Sequence, residues 1–158
     1  ASTIGEARPT YVARRLTDIA FSATTRPDFD PKSDNEEAGM VLENNNSHFD
    51  LMIKRKGRKR YLVVKLQFGQ TVYRSEEVSL SSGSVDLRIE STQGSEFIFS
   101  YSQNGSDFKV IETADAKFLS TETVGWFTGV YVGLYATGNG LASKSDAVYD
   151  WFEYSKKQ

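Results

Sequence analysis

Alternation of apolar and polar residues with period two runs through most of this chain and constrains its fold more than any other feature. Val85, Leu87 and Ile89 alternate with Asp86, Arg88 and Glu90. Leu62, Val64, Leu66 and Phe68 alternate with Tyr61, Val63, Lys65 and Gln67. The same holds for Phe49, Leu51 and Ile53, for Phe97, Phe99 and Tyr101, and for Val130, Val132, Leu134 and Ala136. Successive side chains of a strand point to opposite faces, so each run can turn one row into a core. No long window carries a convincing helical period. A single helical turn is the most that is expected, near Asp115–Leu119.

Turn chemistry separates the runs. Lys56-Gly57 and Asn104-Gly105 are hairpin signals, because glycine accepts the positive φ of tight turns. Ser82-Gly83, Gln93-Gly94 and Gly138-Asn139-Gly140 mark further reversals. About ten strands are expected, near 10–24, 37–44, 47–55, 59–68, 70–78, 84–91, 96–102, 107–113, 129–137 and 147–155. Ten antiparallel strands at this spacing imply an all-β fold, either a two-sheet sandwich or a barrel. Long strands that are apolar on one face favour the antiparallel jelly-roll sandwich. The 158 residues suit one domain at about 100–200 residues each. Residues 1–9 are expected to be a lead-in and 10–158 the sandwich, with a polar, acidic loop over 27–36.

Charge and composition narrow the function classes. Lys plus Arg is 19 and Asp plus Glu is 21, a net charge of −2, which argues against a nucleic-acid partner. No cysteine occurs, which excludes disulfides, thiol nucleophiles and cysteine-held metals. No apolar run approaches the ~18 residues of a membrane helix. Residues 1–20 carry Glu6, Arg8, Arg14, Arg15 and Asp18, so no signal peptide is read there. The first residue is Ala1, not Met, so the chain is expected to be a processed or excised piece, and its compartment is not legible.

The polar residues offer few catalytic sets. His48 is the single histidine, so a Ser-His-Asp triad would have to run through it. At a strand start, opposite in parity to Phe49, it is expected to meet solvent or a sugar. Glu36-Glu37 and Glu76-Glu77 are acidic doublets. Glycoside hydrolysis needs two carboxylates facing each other across ~5–9 Å, and strand neighbours face opposite ways. Both doublets are expected at solvated strand ends. Asp28, Asp30 and Asp34 share one loop, and oxygen-rich loops suit calcium, so Asp28 and Asp30 are candidate ligands of a structural calcium. Asp150, on the aromatic strand Tyr149-Asp150-Trp151-Phe152, is another, because a carboxylate there needs a partner. The basic run Lys54–Arg60 reads as a solubilising hairpin that protects a sheet end. Trp126-Phe127 stands at a loop-to-strand junction, where half-exposed rings can stack on sugar faces.

An ordered set of segments then stands out: Arg14-Arg15, Asp28-Phe29-Asp30-Pro31, Asn35–Met40, Phe127–Ala136 and Tyr149–Tyr154. In this order and spacing it resembles the C-terminal β-sandwich domain of glycoside hydrolase family 43 β-xylosidases, over about Thr10 to Tyr154. Leu16 and Thr17 follow the paired arginines, where related domains often have Gln. The resemblance implies a concanavalin A-like jelly roll. It also implies a non-catalytic accessory role beside a five-bladed propeller that carries the catalytic carboxylates. No catalytic residue is then expected here. Phe127 and Trp126 would wall a sugar subsite that takes xylo- or arabino-oligosaccharides. The alternative is a free-standing, lectin-like carbohydrate-binding module, with Tyr131, Tyr135, Tyr73 or Trp151 on a concave sheet face. No cofactor is required by either reading.

Overall fold

The computed structural model describes residues 10–16, 18, 20–44, 47–91, 96–115, 130–137 and 148–157. Every regular element among them is a strand: β1 (Thr10–Arg15), β2 (Phe21–Asp28), β3 (Glu37–Asn44), β4 (Ser47–Lys56), β5 (Lys59–Phe68), β6 (Thr71–Arg74), β7 (Val78–Ser79), β8 (Asp86–Ser91), β9 (Glu96–Ser102), β10 (Lys109–Asp115), β11 (Tyr131–Thr137) and β12 (Val148–Lys156). They form two antiparallel sheets. One runs β1-β11-β3-β4-β5-β6, with β7 also on β5, and the other β10-β9-β8-β2-β12. Hairpin-linked runs, β3 to β6 and β8 to β10, lie within one sheet, while crossings between the sheets set β1 and β3 beside β11 and set β8 and β12 beside β2. The expected two-sheet sandwich is therefore what forms.

Alternation builds the core. Ala38, Met40 and Leu42 of β3, Phe49, Leu51 and Ile53 of β4, and Leu62, Val64 and Leu66 of β5 face inward from the first sheet. Phe21 and Ala23, Leu87 and Ile89, and Phe97 and Phe99 face them from the second. The aromatic rings form the seam. Phe49 meets Phe68, Phe97 and Phe99 at ring-centroid distances of 5.3, 6.2 and 6.4 Å, all edge-on, which suits their quadrupoles. The Lys56–Lys59 hairpin closes through Gly57 at φ 63°, as its sequence implied.

Two expected strands divide. The run 10–24 becomes β1 and β2, which lie in different sheets. The corner carries no glycine or proline; Leu16 makes it by burying its side chain and donating its N–H to the Val130 carbonyl at 2.8 Å. The run 70–78 splits into β6 and β7. There Ser75 donates its N–H to the Val64 carbonyl, while its hydroxyl accepts the Val64 N–H, both at 2.9 Å. A side chain that stands in for backbone leaves the alternation intact but ends the ladder. The helical turn expected near Asp115–Leu119 falls mostly outside the described residues.

Candidate functional site

The outer face of the first sheet holds the alternate residues of β3, β4, β5 and β11. It is not simply solvated, since Val41, Met52 and Val63 are buried there as well as the core row behind them. Two carboxylates are sunk into it. Glu37 accepts from Lys54 Nζ at 2.8 Å and from the Tyr135 hydroxyl at 2.5 Å. Burial first, then the Glu37 charge, pushes the Tyr135 phenol well above its ordinary range. Asp50 faces His48, whose Nδ1 lies 2.9 Å from both carboxylate oxygens, and Lys65 at 4.0 Å. The hydrogen bond to Asp50 raises the His48 pKa, and burial raises that of Asp50.

This overturns the expectation that Glu36-Glu37 is a solvated strand end. Both side chains are buried, Glu36 accepting from Ser33 Oγ at 2.7 Å. Their partners are local in one case and lie across the sheet in the other, so the doublet itself did not reveal them. Glu76-Glu77 does lie exposed. Each buried carboxylate among the described residues is thus engaged. The last of them, Asp86, takes a two-pronged bond from Arg26 at 2.6 and 3.1 Å. None is left facing open space as a paired acid and base.

The basic hairpin is less idle than its reading as a solubilising tip. Lys54 neutralises Glu37. Arg60 donates to the carbonyls of Phe29, Ser81 and Gly83 at 3.1, 2.9 and 2.8 Å. It staples the 27–36 loop to the loop before β8. The cavity of about 420 Å³ between these loops is lined by Asp28, Asp30, Arg26 and Arg60. Asp28 and Asp30 are exposed there. Asp150 lies on β12, two strand positions from Val148, the partner of Asp28. No group of three or more His, Asp or Glu suited to a metal occurs among the described residues. Phe127 and Trp126 lie outside the described residues.

The four aromatics of the lectin-like alternative do not share one surface. Tyr135 is tied down by Glu37, whereas Tyr131 is 42% exposed on the same sheet. Tyr73 sits on edge strand β6, its hydroxyl on Glu112. Trp151 belongs to the opposite sheet. There a groove of about 300 Å³ crosses the outer face of β2, β8 and β12. Trp151 lines it with Arg26, Asp86, Arg88, Glu153 and Phe108. Arg26 lies 5.6 Å over the Trp151 ring, and Arg88 lies 3.6 Å over Phe108. Period-two reading gave no sign of this groove, because strands far apart in the sequence assemble it. Tyr149 pairs with Pro27, but Phe152 pairs with Thr25, so β12 carries one extra residue. Tyr149 points inward, its hydroxyl 2.7 Å from the Tyr135 carbonyl and 3.0 Å from that of Gly39. Trp151, Glu153 and Ser155 share the other side.

Two antiparallel sheets around one apolar seam define a sandwich domain, and each buried carboxylate described has a hydrogen-bond partner. Comparison with known proteins places it further. The family model for the β-xylosidase C-terminal concanavalin A-like domain matches residues 2–155. A non-reducing end α-L-arabinofuranosidase of Bacteroides ovatus is 32% identical over 149 residues, which is 92% of this chain and 28% of that protein. A xylosidase/arabinosidase of Butyrivibrio fibrisolvens is 32% identical over 145 residues, 91% of this chain and 28% of that one. The solved structure titled Bacteroides ovatus xyloglucan PUL GH43B superposes with a TM-score of 0.83 at 31% identity, covering 93% of this chain and 29% of the other. The chain belongs to the family of C-terminal concanavalin A-like domains of glycoside hydrolase family 43 enzymes, and spans under a third of the length of these relatives.

Proposed function

We propose that this chain is the non-catalytic accessory domain of a family 43 glycoside hydrolase of β-xylosidase or α-arabinofuranosidase type. It packs on a catalytic propeller and supplies Phe127 and Trp126 as an aromatic wall to that domain's sugar pocket. The observation that carries the accessory role is the engagement of every described buried carboxylate: Glu36, Glu37, Asp50 and Asp86 each have a partner. A glycosidase needs one carboxyl group to give a proton and another to act opposite it, and neither is on offer there. The relatives support the setting, because their names are those of a xylosidase and arabinosidases and this chain matches only 28% of their length. A large ring beside a sugar pocket acts by stacking and by closing the pocket to all but chain ends.

The test is kinetic. In the full-length protein, Phe127→Ala and Trp126→Ala should each lower kcat/KM on nitrophenyl xyloside or arabinofuranoside by about tenfold, the weight of one ring contact near 1.4 kcal/mol. The 158-residue chain alone should release no nitrophenol. Turnover by that chain, or unchanged kinetics in both variants, refutes the assignment.

A further inference from the structure

The groove on the outer face of β2, β8 and β12 has no part in the role just proposed. Its construction departs from what the fold requires. The extra residue in β12 lets Tyr149 and Tyr154, of opposite parity, both face inward, while Trp151 shares the outer face with Glu153 and Ser155. The largest side chain of the strand thus lies on the outer face, half-buried against Arg26. Its surroundings are held rigid. Arg26 is locked by both oxygens of Asp86, a side chain only 4% exposed. Arg88 Nε donates to Thr24 Oγ1 at 3.1 Å while its guanidinium lies on Phe108. The hairpin after β9 covers one end, where a Cβ added at Gly105 would lie 3.5 Å from Arg26 and 3.8 Å from Asp86.

We infer that this groove binds a neutral, hydroxyl-rich glycan chain, with Trp151 as the stacking platform. The charges decide the ligand class. Arg26 and Arg88 face Asp86 and Glu153, two positive groups against two negative, so no net field favours an anion or a cation. What is left is a ring for the C–H face of a sugar and a set of fixed donors and acceptors for its hydroxyls. Ser22 and Ser155 line the same floor and add small polar groups without filling it. A volume of about 300 Å³ is at the lower bound for small-ligand sites, which suits a short stretch of a chain that continues past both ends. Taking that chain to be a pentose polymer rests on the function proposed above; the groove itself does not. It would hold substrate polymer away from the catalytic pocket.

Calorimetric titration of the 158-residue chain with xylohexaose, linear arabino-oligosaccharide and polygalacturonate tests this. The expected result is binding to a neutral oligosaccharide and none to the polyanion. Trp151→Ala should weaken it about tenfold or more. Ser155→Arg, at an exposed position on the groove floor, should do the same by filling the space, with an unchanged melting temperature. Absence of binding to every neutral glycan overturns the inference, as does wild-type affinity in the Ser155→Arg variant or preference for polygalacturonate. These readouts use neither Phe127 nor Trp126 nor hydrolysis, so failure here is separable from failure of the accessory role.

Discussion

Truncating Phe49 to alanine tests whether the sandwich closes where its rings meet. The side chain is fully buried and touches Phe68 from its own sheet and Phe97 and Phe99 from the other. Burying an aromatic removes ~150–250 Å² from water, worth ~4–6 kcal/mol at 25 cal/mol/Å² as an upper limit. Measured Phe→Ala changes in cores fall at ~3–5 kcal/mol, with the residual cavity included. A loss of ~4 kcal/mol is therefore expected, a large part of the ~5–15 kcal/mol that holds a domain together. At ~2–4 °C per kcal/mol for a chain of this size, the melting temperature should fall by ~8–16 °C. Urea unfolding followed by far-UV circular dichroism gives the free energy directly. The midpoint should drop by ~2 M for an m-value near 2 kcal/mol/M, with m unchanged. Phe152→Ala, at a site 36% exposed, is the control and should cost under ~1 kcal/mol. If Phe49→Ala costs less than ~1 kcal/mol, the inter-sheet seam is not where the rings place it.

Three further outcomes follow from the same contacts. His48 binds its proton more tightly when folded, because Asp50 accepts from it. Its contribution is complete below the ordinary value of 6.5 and is lost as pH rises through the higher folded-state value, at no more than ~1.4 kcal/mol per pH unit. Wild-type stability relative to His48→Gln should thus fall as pH rises above 6.5; a rise refutes the pairing. Gly39→Ala would set a Cβ 1.9 Å from the Leu51 carbonyl oxygen, in the middle of the first sheet. It should cost ~3 kcal/mol or more, and a melting temperature within 2 °C of wild type would show that β3 and β4 do not approach so closely. A structural calcium on Asp28, Asp30 or Asp150 predicts a melting temperature that climbs on moving from chelator to millimolar calcium, and a flat response excludes it.

The core rows were legible from sequence wherever a strand kept one period from turn to turn. Val85–Ile89 and Phe49–Ile53 each place their apolar row in the core as the alternation implied. What was illegible depended on groups distant in the chain. Glu37 looked like surface because its partner Tyr135 is 98 residues away. Arg60 looked like one more solubilising charge because its acceptors are backbone carbonyls of loops whose path only the fold sets. The β1–β2 corner and the β6–β7 break use Leu16 and Ser75, residues with no turn signature. The groove escaped for a related reason. Arg26, Asp86 and Arg88 lie on strands that read as ordinary, and only the pairing of β12 with β2 and of β2 with β8 brings Trp151 beside them.

That single added position in β12 makes the exterior of the domain adjustable in whole-residue steps. A one-codon deletion of Trp151 would restore register with β2 and put Asp150 at the position opposite Arg26 in place of the indole, while the inward-facing Tyr154 would still stack on Phe21 at 5.7 Å. Sister sequences could therefore gain or lose an outer recognition surface by strand length alone, with the interior of the sandwich left as it was.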